Sequence, residues 1–137
     1  MMARGSQEVR FEGVHCTLVL RSYAGGVCVL TISGTDVGEF PDAPMRELEK
    51  CMAAGAPIQL FVDARDVRGA SIEVSGGWAE WMRTHREQLR GVSMLTGSRY
   101  VEVTADFVRR FAALEGKMRV YTEAAAFDAA LEGWLAL

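Results

Sequence analysis

Two apolar stretches rich in strand-forming residues, FEGVHCTLVLRSY at 11–23 and GVCVLTISG at 26–34, read as the arms of a hairpin. Gly25 and Gly26 between them supply the positive φ angles of a tight turn. DAPMRELEKCMAAG, 42–55, has a cap candidate in Asp42, an apolar line at Met45, Leu48 and Met52, and a stop at Gly55, which predicts an amphipathic helix. IQLFVDA, 58–64, is almost continuously apolar, as a strand covered on both faces is.

Residues 65–77 read as a polar loop leaving that strand. Trp78, Trp81, Met82, His85 and Leu89 then recur at helical spacing, and Arg90-Gly91 ends the run. GVSMLTGS at 91–98 is a short strand, Thr104 can cap a helix carrying Phe107, Phe111 and Leu114, and KMRVYT at 117–122 is the last strand. A final helix from Thr122 buries Phe127, Ala130, Leu131 and Trp134. The order predicts an α/β fold: an N-terminal β-hairpin followed by repeated β-α units, a mixed, mainly parallel sheet of about five strands, and four helices. Residues 1–137 read as a single domain with a flexible N-terminus over 1–8.

Composition narrows the function. With 137 residues, half of them apolar, the chain can bury a core without metals or cross-links. Fifteen basic against eighteen acidic residues, with no basic block, argues against nucleic acid or an anionic membrane as partner. No apolar run approaches the roughly 20 residues of a membrane span, and MMARGSQEVR lacks the apolar centre of a secretory signal, so a cytoplasmic location is expected.

Three cysteines are an odd number. With the turn at Gly25-Gly26, Cys28 faces Tyr23 and Cys16 lies about 20 Å further along the arm, so the two cannot pair. Cys16, Cys28 and Cys51 are expected to be reduced. His15 and Cys16 point to opposite faces of a strand, and no Cys-x-x-Cys or His-x-x-x-His spacing occurs, so neither a metal nor a cofactor is expected.

FVDARDV at 61–67, an apolar strand ending in Asp63-x-x-x-Val67, together with the element order, resembles the STAS family of sulfate transporter and anti-sigma factor antagonist domains. WAEWMRTH at 78–85 followed by RGVSMLTGS at 90–98 is similar to the branch related to CRAL-TRIO-like lipid carriers. The resemblance implies a non-enzymatic module whose loop after the central strand contacts a protein partner. In the anti-sigma factor antagonists that loop bears a phosphorylated serine in an Asp-Ser-Ser-Gly run. Those positions fall here on Ser71, Ile72, Glu73 and Val74, which puts isoleucine at the phosphoacceptor position.

The expected partner-binding residues are therefore Arg65, Asp66, Arg68, Ser71 and Ser75, at an edge formed by loops 33–43, 65–77 and 97–104. Ser71 and Ser75 are also the candidate phosphosites, against a plainer role as helix caps. The alternative function is carriage or sensing of a small apolar molecule or lipid in a pocket of Trp78, Trp81, Met82, Phe107 and Phe111, against a plainer role in the core. Catalysis is not expected: His85 has no nucleophile tied to it, and no Gly-Lys-Ser follows Gly76-Gly77 to cradle a nucleotide.

Overall fold

The structure is a computed structural model that describes residues 6–53 and 57–137. Gly55, the expected stop of the first helix, lies outside the described residues. The elements are β1 (Ser6–Glu12), β2 (Cys16–Tyr23), β3 (Val27–Asp36), α1 (Ala43–Met52), β4 (Ile58–Ala70), α2 (Ile72–Thr84), β5 (Leu89–Thr96), α3 (Arg99–Phe111), β6 (Met118–Tyr121) and α4 (Ala124–Leu135). A short 3-10 turn, Arg86–Gln88, follows α2.

The fold is α/β with a mixed sheet and four helices, as expected, but the described strands number six. The extra strand comes from the N-terminal arm. Gly13, Val14 and His15 turn the chain back, so 11–23 is two antiparallel strands where one was expected. Ser6–Glu8, expected to be flexible, pair with Tyr23, Ser22 and Arg21. The second turn holds Ala24 as well as the two glycines, which puts Cys28 opposite Ser22 rather than Tyr23.

Strand order is β1-β2-β3-β4-β5-β6, antiparallel through β3 and parallel from β3 onward. Successive parallel strands are added on the same side, and right-handed crossovers that always step one way leave their helices on one face. Helices α1, α2 and α3 accordingly share one core, through Leu48, Met52, Trp81, Met82, Ala105 and Val108, with Leu30, Leu60 and Val62 of the sheet. α4 packs on the other face. There Phe127 meets Phe61 edge-on at 5.7 Å between ring centres, with Val27 and Leu95 alongside. Alternate residues of β4, Leu60 inward to one core and Phe61 to the other, explain its continuous apolar run.

Several boundaries differ from expectation. α2 already begins at Ile72, so Ser75, Gly76 and Gly77 lie inside the helix and not in a loop. β4 continues to Ala70, so Arg65, Asp66 and Arg68 lie on a strand and not in a loop. A register shift against β3 between Thr31 and Ser33 breaks the simple alternation, letting Ala64 and Val67 both turn inward. Leu89 begins β5 rather than ending α2. α3 starts five residues before Thr104, capped by Ser98 Oγ, which accepts from Val101 N–H at 3.2 Å.

The carboxyl edge of the sheet as candidate functional site

The expected docking edge is more compact than its sequence suggests. The connections past β3, β4 and β5 reduce to 37–42, Ser71 and 97–98, because the neighbouring residues are strand or helix. Asp36 and Ala70 end β3 and β4 side by side. Ser71 N–H donates to Asp36 O at 2.9 Å, and Ser71 Oγ accepts from Val74 N–H at 3.1 Å, so this serine is the cap of α2. The buried Asp36 carboxylate accepts from Gly38 N–H at 3.1 Å, and Gly38, at φ +90°, makes the turn away from β3. Gly97 is needed for a different reason, since a Cβ there would collide with Arg65 O.

Each of the first three β-α units leaves an apolar side chain in solvent at this edge. Val37 follows β3 and is 50% exposed, Ile72 opens α2 at 85%, and Tyr100 in the first turn of α3 is 57% exposed. Tyr100 Oη donates to Ala70 O at 3.3 Å, so the phenol reaches the end of β4 just where Ile72 begins. Beside them runs an open groove of about 380 Å³, walled by Phe40, Pro44 and Met45 on one side and Ser71, Glu73 and Trp78 on the other. Below it lies an apolar cavity of about 90 Å³ between the sheet and the helices α2 and α3, lined by Trp78, Met82, Met94, Val101 and Val108 among others. Asp36, Val74 and Trp78 border both spaces.

Glu39 anchors the segment between β3 and α1. Its carboxylate accepts from Val14 N–H at 2.8 Å and His15 N–H at 3.1 Å, with the His15 ring nitrogen at 3.3 Å. Desolvation pushes the Glu39 pKa up, but these N–H donors and His15 together hold it below the usual glutamate range.

The expected partner-binding residues are not brought onto one surface. Arg65 is held by Asp63 and by Asp128 of α4, at 3.0 Å each. Asp66 and Arg68 are exposed and line a shallow polar groove with the turn between β1 and β2 and with Ser33 and Gly34. Ser71 borders the open groove, whereas Ser75 borders the apolar cavity.

The expected apolar pocket is also redistributed. Trp78 and Met82 do line a cavity. Trp81 turns toward α1, where Nε1–H donates to Glu49 Oε2 at 2.8 Å and the ring lies 4.6 Å from that of His85. His85 itself has Nδ1 2.9 Å from Trp81 O, a structural position at the end of α2. Phe107 and Phe111 lie on the outer surface of α3, stacked on each other at 5.8 Å with Arg83 over Phe111. Among the described residues, no three His, Cys, Asp or Glu side chains gather as metal ligands, and no helix is long and apolar enough to cross a membrane.

Sequence reasoning missed Val37 and Tyr100 at the edge, and Met94, Val101 and Val108 in the cavity. A usable signal existed: Val37 and Tyr100 each lie within a few positions of the end of an apolar strand, where no packing partner is due.

No protein-family model matches the chain, and no curated protein matches it. Solved structures do. An uncharacterized protein of the DUF3478 family with a SpoIIAA-like fold, from Shewanella loihica PV-4, superposes with a TM-score of 0.60 at 13% identity, over 96% of this chain and 97% of that one. The anti-sigma factor antagonist SpoIIAA in its unphosphorylated form superposes with a TM-score of 0.54 at 16% identity, over 82% of this chain and 95% of the other. The chain therefore has the SpoIIAA-like, STAS-type fold, in a divergent sequence.

Proposed function

We propose that the chain is a non-enzymatic regulatory module that docks a protein partner through the carboxyl edge of its sheet. The observation that carries this reading is the gathering there of Val37, Ile72 and Tyr100, three exposed apolar side chains beside an open groove. Apolar groups rimmed by polar ones are the usual composition of a protein-binding patch. Asp66 and Arg68, exposed further along the end of β4, supply charge that steers and orients a partner. The similar protein SpoIIAA is an anti-sigma factor antagonist, which makes an anti-sigma factor the partner class we favour.

Ile72 opens α2 at the position that the STAS resemblance assigns to the phosphorylated serine. A side chain that cannot accept phosphate makes docking at this point independent of that modification, and Ser71 Oγ is already engaged as a helix cap. The test is to capture the partner from the native host, identify it, and measure its affinity for wild type and for Ile72→Arg. At least a tenfold loss without a change in melting temperature is expected. Undiminished affinity would move the docking surface elsewhere.

A second reading, carriage or sensing of a small apolar molecule, is favoured by the cavity beside Trp78. Its roughly 90 Å³ is below the 150 Å³ of an engineered cavity that takes up benzene, so the ligand would be small or would have to part α2 from α3. Saturable quenching of Trp78 fluorescence by a brominated short-chain fatty acid, lost in a Trp78→Phe variant, is the expected signature of this reading.

A further inference from the structure

Cys28 and Cys51 come from distant parts of the chain and meet at the opposite end of the sheet from the docking edge. Cys28 is the second residue of β3 and is 1% exposed. Cys51 is in the last turn of α1 and half-buried. Cys51 packs against the buried cluster that contains Cys28, and the two thiols lie near enough for each to shift the other's pKa. Both border an open cleft of about 350 Å³, together with Ser22, Tyr23, Glu47 and Lys50. A small oxidant thus has a route to a pair of free thiols.

We propose that Cys28 and Cys51 form a reversible redox site, in which a hydroperoxide converts the free thiol pair to a disulfide between β3 and α1. The division of labour follows from the surroundings. As a thiol, Cys51 donates to Glu47 O at 3.5 Å. As a thiolate, it accepts from Cys28, which lowers its pKa, and from Ser22, which lowers it further, against opposing effects of burial and Glu47. Cys28 is pushed the other way, first by its hydrogen bond to Cys51 and then by burial. Cys51, the more exposed of the two in the cleft, is therefore the nucleophile, and the buried Cys28 the resolving thiol.

In the first step the Cys51 thiolate attacks one oxygen of hydrogen peroxide. The O–O bond breaks, and the leaving hydroxide takes a proton to become water, leaving a sulfenic acid. In the second step Cys28, losing its proton, attacks that sulfur, the S–O bond breaks, and a second water leaves. The two sulfurs together lose two electrons, which the peroxide gains. A dithiol reverses the reaction by exchange. Cys16 stands apart: desolvation, with Asp36 and Glu39 nearby, pushes its pKa up to about 12, which keeps it a thiol.

The test uses the full chain, reduced anaerobically and then treated with one equivalent of hydrogen peroxide. Trypsin separates the cysteines into fragments 11–21, 22–46 and 51–65. The expected product is 22–46 joined to 51–65, released by dithiothreitol, with Cys16 still alkylatable. Native-state alkylation should also label Cys51 well before Cys16, and at a lower pH. Cys51→Ser should abolish the cross-link while its circular dichroism stays that of wild type. Cys51 carried to sulfinic acid without a cross-link, a bridge through Cys16 or between two chains, or three thiols left free would each overturn the proposal.

Discussion

Arg65 Nη2 lies 3.0 Å from Asp128 Oδ1, so a side chain in the middle of the central strand β4 is tied to the helix on the sheet's far face. The same guanidinium reaches Asp63 at 3.0 Å. Arg65→Glu would set three carboxylates together, and a loss of about 1 kcal/mol is expected for this partly exposed cluster. Adding Asp128→Lys should recover part of it. A double-mutant cycle by urea denaturation measures the coupling, and additive effects would show that the pair contributes nothing.

Phe61 and Phe127 are both fully buried and meet edge-on, so truncating either to alanine should cost about 3–5 kcal/mol. Trp134, only half-buried with Arg90 over its ring at 5.6 Å, should cost roughly half of that. Thermal or chemical melts of the three variants rank the packing. A Phe127→Ala protein as stable as wild type would mean that α4 does not cover β4.

Ser71→Ala removes the cap of α2 and should cost about 1 kcal/mol, whereas Ser71→Asp keeps an acceptor for Val74 N–H and should stay near wild type. Equal melting of the two variants would show that the hydroxyl does not cap the helix.

Glu39 links stability to pH. Its pKa is lower in the folded chain than in the unfolded one, so the stabilisation is present above the ordinary glutamate pKa and is lost as pH falls through the folded value. The wild type should therefore lose more stability on acidification than Glu39→Gln does. Parallel melting curves across that window would contradict the assignment of Val14 and His15 N–H as partners of the carboxylate.

Much of this fold was legible because strand periodicity and helix stripes both survive in the residues. The β4 run and the Leu48–Met52 stripe are dictated by burial, and burial leaves a pattern. The failures have physical causes. The turn at 13–15 was hidden because Val14 looks like a strand residue yet is 90% exposed, leaving Gly13 as its sole signal. The end of β4 looked like a loop because Asp66 and Arg68 are exposed while a register shift obscures the inward turn of Val67. On α3 two apolar stripes compete, and size misleads. The smaller set, Val101, Ala105, Val108 and Ala112, is buried, while Phe107 and Phe111 face outward. The Cys28–Cys51 contact needs the α1 crossover to form, and no local pattern carries it.

Every strand of this sheet lies beside its nearest neighbours in the chain. No pairing has to wait for a distant segment, so each closure spans a single hairpin or a single β-α-β unit, and the entropy of closing it stays small. A chain emerging from the ribosome can therefore lay down β1, β2 and β3 as a meander and then add one parallel strand at a time. A nascent chain stalled after β4 would already hold four of the sheet's strands in their final order.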